Sequence, residues 1–407
     1  MRSNNVKSNL TVLKYGGSSV SNFDKINEIS AYLKQRVEND EKLVVVVSAM
    51  GKTTDILLEN VAELTKSPNQ EDLAMLLTTG EQQSIAYLSM ALKEIGVQSK
   101  SLTGYQAGIQ TVGHHLKSKI ASIADERFIE LFKTNDILIV AGFQGFNESG
   151  ELTTLGRGGS DTTAAAIASI LNCPCEIYTD VDGIYSTDPR LFPEAKQLER
   201  ISAEEMMEMS SLGAGVLETR SVEIAYNNNI PLYIGKTLSN KKGTWIVPND
   251  KILERKAVTG VSSDKDVIQV VLSHPTTDFK LLNDLFNLLD VSEINIDMIS
   301  QVDDENHLQF SFTANKNDKI QIQALTEVLQ ETYEDLKVSL NEDFVKLSVI
   351  GAGMRDMHGV ASKVFRTLIE ENISFSQVTT SEISITFLID EENIQAATEI
   401  LCKTFNL

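Results

Sequence analysis

The chain has 407 residues, 42% hydrophobic and 23% charged, with a formal net charge of -21. That length exceeds one typical core, so two or three domains of a soluble globular protein are expected. The acidic balance excludes a surplus basic surface for nucleic acid or an anionic membrane, so any phosphate must be met by local lysines, arginines, glycine turns and helix N-termini.

No apolar run reaches the length of a bilayer-spanning helix and the N-terminus lacks a signal pattern, which predicts a cytoplasmic protein. Cys173, Cys175 and Cys402 are too few for a disulfide framework. The spacing Cys173-Pro174-Cys175 lacks the two-residue gap of common zinc or redox pairs, so the cysteines read as packing thiols and no metal ligand is assigned.

Leu10-Thr11-Val12-Leu13 reads as a strand delivering Lys14-Tyr15-Gly16-Gly17-Ser18-Ser19-Val20, with Ser21 to Asp24 as a helix start. Strand, glycine turn and helix suit a phosphate cradle built from the Gly16 and Gly17 N–H groups and the Lys14 ammonium; a plain turn fits the same residues. Leu43 to Val47 reads as a buried parallel strand. Gly51-Lys52-Thr53 is not a Walker loop, because Val46 stands where the upstream glycine is required. Thr54 fits a helix N-cap. Leu73 to Ala91 has helical periodicity broken at Thr78-Thr79-Gly80-Glu81, where a glycine is costly unless something approaches the backbone. The strand Ile137 to Ala141 ends in Gly142-Phe143-Gln144-Gly145, with Phe143 suited to core or pocket.

Thr153-Thr154-Leu155-Gly156-Arg157-Gly158-Gly159-Ser160-Asp161 runs into an alanine-rich helix. Glycines beside one arginine, closed by Ser-Asp, bring backbone N–H groups and a guanidinium to an anion. Ile177 to Arg190 reads as a strand and an Asx-rich loop whose acidic residues lack the spacing of a calcium loop. Strands at Ile230 to Ile234 and Thr244 to Val247 close the first domain near Pro248-Asn249-Asp250.

The remainder repeats itself. An offset of 79 residues carries Leu285 to Val364, Phe286 to Phe365, Leu289 to Leu368, Ile294 to Ile373 and Leu308 to Phe387. Each copy reads strand, helix, strand, strand, helix. The second copy ends at Leu407 without a final strand, while Val258 to Val261 precedes the first copy as one strand too many. The early strand is therefore expected to complete the second module.

These stretches, in this order and over nearly the whole chain, resemble the aspartate kinases of the amino-acid-kinase superfamily with tandem C-terminal ACT domains. The resemblance implies an α/β amino-acid-kinase fold, a mainly parallel sheet sandwiched by helices, over residues 1–252. Two entwined ferredoxin-like βαββαβ ACT domains would follow over 253–340 and 341–407. It implies transfer of the ATP γ-phosphoryl, with Mg2+, to the side-chain carboxylate of L-aspartate, the first step toward lysine, threonine and methionine. Lys14 and Asp161 would be catalytic, and Thr54, Glu81, Phe143, Arg157 and Ser160 would bind substrate. Gly16, Gly17, Ser18, Thr179, Asp180, Tyr185 and Arg190 would hold the nucleotide. Asn295, Ile296 and Asp297, with His274 to Leu282, would bind an amino-acid effector, lysine before threonine, at a homodimer formed through the ACT domains.

One departure stands out. The family's Ala-Lys-Val-Leu-His is Ala214-Gly215-Val216-Leu217-Glu218 here, so a nucleotide-contacting lysine is missing, with Lys236 or Lys241 as candidates to replace it. Another amino-acid kinase, for glutamate or acetylglutamate, and a sensor that has lost activity are the alternatives. Gly80-Glu81 and the ACT-like repeat favour aspartate.

Overall fold

A computed structural model describes residues 9–248, 256–275, 279–304 and 307–407. These fall into two compact units, the first holding 9–184, 197–210 and 215–248, the second 185–196, 211–214 and the described residues from 256 onward. Among them no helix is long and apolar enough to cross a membrane.

The valine-rich run forms the strand Lys42–Val47, buried from Leu43 onward because helices cover both faces of its sheet. That sheet has eight strands in the order Arg200–Ser202, Thr244–Val247, Leu232–Lys236, Cys175–Thr179, Leu10–Tyr15, Lys42–Val47, Ile137–Ala141, Ser99–Leu102. From Leu232–Lys236 to Ser99–Leu102 all neighbours are parallel, and Thr244–Val247 runs antiparallel to Leu232–Lys236. Side chains alternate across the sheet. Leu13 and Tyr15 pack with Ile26, Ile29 and Leu33 of the helix Phe23–Glu38 and Ile85 and Leu88 of the helix Thr79–Glu94. Lys14 points to the other face, where the helix Gly159–Leu171 lies buried over nearly its whole length on its small residues.

The broken periodicity at Thr78 is two helices, Gln70–Leu77 and Thr79–Glu94. A Cβ on Gly80 would stand 2.7 Å from the Ala49 Cβ, the close approach its cost predicts. A four-stranded sheet of Lys119–Ile123, Ile109–Val112, Gln144–Phe146 and Leu152–Thr154 is not foreseen, because strands of three to five residues carry too little alternation.

The second unit holds two four-stranded antiparallel sheets. In the first, the helices Phe279–Val291 and Lys319–Thr332 bury Leu285, Leu289, Ile322 and Leu329 against Val270, Phe310 and Phe312. In the second, the helices Val360–Glu370 and Ile394–Phe405 bury Val364, Leu368 and Leu401 against Val345, Leu347 and Phe387. The early strand Gly260–Asp264 pairs antiparallel with Phe344–Ile350 and completes the second sheet, as the strand count requires. The two modules are therefore interleaved in sequence. The expected domain junction, Asn249, Asp250 and the step from 252 to 253, lies outside the described residues. The segment 185–196 belongs to the second unit rather than to one uninterrupted first domain. Val261 N–H donates to the Ser186 carbonyl at 2.7 Å, and Phe192 packs with Val261 and Leu401.

Candidate active site

Parallel strands end on one side of their sheet, and crevices outside their carboxyl ends are where ligands bind in such folds. Lys14, near the end of Leu10–Tyr15, places Nζ 2.6 Å from Asp161 Oδ1 in the first turn of Gly159–Leu171; the side chains are 10% and 13% exposed. The turn before that helix needs its glycines. Gly158 has φ of 63°, and a Cβ there would stand 2.4 Å from the Glu218 Cβ.

The pair faces a cavity of about 260 Å³ that is also lined by Gly17, Thr54, Glu81, Phe143, Arg157 and Ser160. Glu81 is only 3% exposed, and its Oε1 accepts the Ala49 N–H at 3.0 Å. Its Oε2 is buried with no hydrogen-bond partner among the described residues. Burial pushes the carboxyl up to about 7 against the smaller pull of the backbone N–H groups. Arg157 is exposed and makes no hydrogen bond or ion pair among the described residues, so its fork is open to an anion. Phe143 sits at φ of 69°, a strained setting for an aromatic residue, held where its N–H meets Thr163 Oγ1 at 3.2 Å. Thr54 is not the cap of its helix, since that position belongs to Lys52.

The expected nucleotide residues do not gather in the same way. Gly17 lines the cavity, and a Cβ there would stand 2.7 Å from the Ala49 carbonyl oxygen. The Gly16 N–H, expected to face phosphate, instead donates to the Tyr178 carbonyl at 3.2 Å, extending the strand pairing by one bond. Ser18 is exposed outside the cavity, with its carbonyl accepting Lys25 Nζ at 2.7 Å. Thr179 Oγ1 donates to Asp180 at 3.0 Å, and neither residue lines the cavity. Tyr185 and Arg190 belong to the second unit, where Arg190 pairs with Asp188 at 2.6 Å. Lys236 and Lys241, the candidates to replace the lysine missing at Gly215, line a different cavity of the first unit.

Arg220 is a residue that sequence reasoning misses: its guanidinium donates to the Leu155 carbonyl at 2.8 Å and the Ser118 carbonyl at 3.2 Å, bracing the start of the glycine loop. A lone arginine on a helix carries no local signal of such a role. In the second unit Asp297, expected to be open to an effector ammonium, is already paired with Lys346 Nζ at 2.9 Å and accepts the Met298 N–H at 2.8 Å. Asn295 is exposed and Ile296 half-buried. Residues 276–278 of the expected effector loop lie outside the described residues.

The family model of the amino acid kinase family matches residues 9–236, and that of an ACT domain matches 347–405. Aspartokinase 2 of Bacillus subtilis (strain 168) is 38% identical over 399 residues, covering 98% of each chain. The chain belongs to the aspartokinase family. Among solved structures, E. coli aspartokinase III in complex with aspartate and ADP (R-state) matches with a TM-score of 0.78 at 23% identity, covering 98% of this chain and 100% of that one. The same enzyme in complex with lysine and aspartate (T-state) matches at 0.74 and 22% identity, covering 98% and 99%. At these identities the likeness concerns the aspartokinase fold. The first sheet of the second unit lies outside the ACT match and is recognised as the same module by its strand order, which repeats that of the second.

Proposed function

We propose that the chain transfers the γ-phosphoryl group of ATP to the side-chain carboxylate of L-aspartate, giving 4-phospho-L-aspartate. The observation that carries this is the buried Lys14–Asp161 pair facing a cavity whose other walls present Arg157 and a half-satisfied Glu81. The family relatives and the structural neighbour that holds aspartate and ADP support it.

An aspartate side chain, with an ordinary pKa of about 3.9, is already ionised near neutral pH, so no general base is needed. The task is to bring two anions together and stabilise the charge on the phosphoryl in flight. Lys14 supplies a cation there, and Asp161 holds that ammonium in place at 2.6 Å. Arg157 takes the substrate's α-carboxylate and the open oxygen of Glu81 its α-ammonium, while Thr54, Phe143 and Ser160 shape the walls. Gly17 lets the ATP phosphates approach the backbone, and Thr179 and Asp180, at the end of Cys175–Thr179, are assigned to the nucleotide. Mg2+ would arrive with ATP and neutralise phosphate charge. Among the described residues no group of three or more His, Cys, Asp or Glu side chains could hold it, so phosphate oxygens would be its principal ligands. The proposed compartment is the cytoplasm.

ADP release from the full chain should depend on L-aspartate and not on glutamate or N-acetylglutamate. Turnover with either of those instead would reassign the substrate, and none with any of them would leave a sensor. Arg157→Ala should raise the aspartate KM about 10- to 100-fold, the loss of one bidentate charge-assisted contact, with a smaller change in kcat. An unchanged KM removes Arg157 from the substrate site.

The ACT pair is assigned feedback control by an amino acid, lysine first, and a homodimer contact along its sheet edges. Lysine is bound in one structural neighbour. Because Asp297 already holds Lys346, an effector ammonium would have to compete for it. Lysine should therefore inhibit, and Asp297→Asn should shift the half-inhibitory concentration about threefold or more, within ordinary coupling energies. No shift would confine Asp297 to joining the two modules.

A further inference from the structure

The face of the first unit's sheet opposite Lys14 carries a second cavity that the phosphoryl-transfer reading does not use. It measures about 270 Å³ and is lined by Tyr15, Tyr32, Tyr178 and Tyr233, with Lys236, Lys241 and Lys242 from one short loop. The rings form a built wall. Tyr15 stacks on Tyr178 with centroids 5.3 Å apart and planes 13° from parallel. Tyr32 and Tyr233 meet Tyr178 edge-on at 6.3 and 6.2 Å. Strand register makes the stack, since Tyr15 lies directly beside Tyr178 in the parallel pairing.

Hydroxyl groups in this wall are satisfied with one exception. Tyr178 Oη donates to Glu176 at 2.9 Å, and Tyr233 Oη accepts the Gly243 N–H at 2.7 Å. Tyr15 is 1% exposed and its hydroxyl has no hydrogen-bond partner among the described residues. A buried hydroxyl left unpaired is unfavourable, and it marks a place where a ligand atom or water completes the bonding.

The charges near the cavity sort in the same direction. Glu176 pairs with Arg36 at 2.9 Å, a guanidinium it shares with Glu41 at 2.6 Å, and Asp182 pairs with Lys241 at 3.0 Å. Lys236 and Lys242 make no side-chain hydrogen bond or ion pair among the described residues. Three lysines thus fall within seven residues on a chain of net charge -21, and two of them are left to meet an anion.

We infer that this cavity is a second small-molecule site for a planar aromatic anion of the nucleoside-monophosphate class. The base would lie against the tyrosine wall, the phosphate would meet Lys236 and Lys242, and a ring heteroatom would reach the Tyr15 hydroxyl. The volume suits one such molecule and not a larger dinucleotide. The site is distinct from the cavity of Lys14 and Asp161, because the two cavities share no lining residue.

The chain supplies its own reporter. Its single tryptophan, Trp245, has its ring 5.1 Å from that of Tyr233. AMP, adenosine and inorganic phosphate are titrated into the full chain, reading tryptophan emission and equilibrium dialysis together. One equivalent of AMP should bind saturably and shift Trp245 emission, with adenosine and phosphate about tenfold weaker or more, each lacking half of the contacts. Lys236→Ala with Lys242→Ala should weaken that equivalent about tenfold or more, and Tyr15→Phe, which keeps the ring, about fivefold. Lys14→Ala, in the first cavity, should leave it unchanged. The proposal is overturned if dialysis finds no saturable AMP, if AMP binding disappears in Lys14→Ala while surviving the paired lysine replacement, or if phosphate alone binds as tightly as AMP.

Discussion

Lys14→Ala is expected to lower kcat by about 10²- to 10³-fold while the aspartate KM moves much less, because the ammonium acts on charge that develops only as the phosphoryl transfers. The geometry behind this is a buried ion pair, Nζ to Oδ1 at 2.6 Å, set at the end of one strand and the start of one helix. Asp161→Asn keeps the shape and removes the charge that holds Lys14, so it should lose a large part of the same factor. Asp161→Ala leaves a buried ammonium unpaired, and breaking such a pair costs about 3–5 kcal/mol of stability. Its kinetics must therefore be read below its own unfolding transition. The proposed assignment gives both residues one function, so the double variant should be little worse than the worse single one. A purely KM effect in either single variant would move the pair from the reacting phosphoryl to substrate binding.

Local sequence fixes faces and ends well, and this is why so much of the first cavity is readable. Apolar alternation along Leu10 to Leu13 says that a strand ends at Lys14. The three glycines around Arg157 say that a loop comes close to something. A glycine at position 80 demands a neighbour at its backbone, and Ala49 is that neighbour. Counting strands in the repeat requires Gly260–Asp264 to return to the second module, and it pairs there. What sequence does not carry is which distant group takes a given donor or acceptor. Gly16 loses its N–H to the Tyr178 carbonyl, and Asp297 meets Lys346 from the other module. The segment 185–196 is drawn to the second unit in part by Lys196, whose Nζ donates to Asn406 at 2.8 Å. The tyrosine wall is hidden for the same reason, since Tyr15 and Tyr178 become neighbours only once their strands are in register.

Glu81→Gln is expected to weaken aspartate binding and stabilise the ligand-free protein at the same time. Burial raises this carboxyl from its ordinary 4.5 to about 7, so below pH 7 the empty site is mostly protonated and offers no charge to an ammonium. The aspartate KM of the natural chain should then fall about tenfold per pH unit as pH rises toward 7 and level off above it, with a proton released on binding below that point. In Glu81→Gln the profile should be flat, with KM at pH 8 higher by about 10- to 100-fold for the lost charge-assisted contact. The stability effect follows from the same shift. A carboxyl whose pKa is raised on folding favours the folded state fully below pH 4.5, and that contribution is lost as pH climbs from 4.5 through about 7. Above that range the natural chain carries a penalty of about 3 kcal/mol that glutamine does not, at 1.36 kcal/mol per pKa unit. Urea unfolding without ligand should therefore find the variant more stable at pH 8, with the gap closing by pH 5. A natural chain whose aspartate KM is flat from pH 6 to 8 would show that Glu81 does not face the ammonium. A variant no more stable at pH 8 would show that water or a neighbour already satisfies Oε2. Both outcomes together would return Glu81 to a structural role, bonding the Ala49 N–H at the base of the cavity.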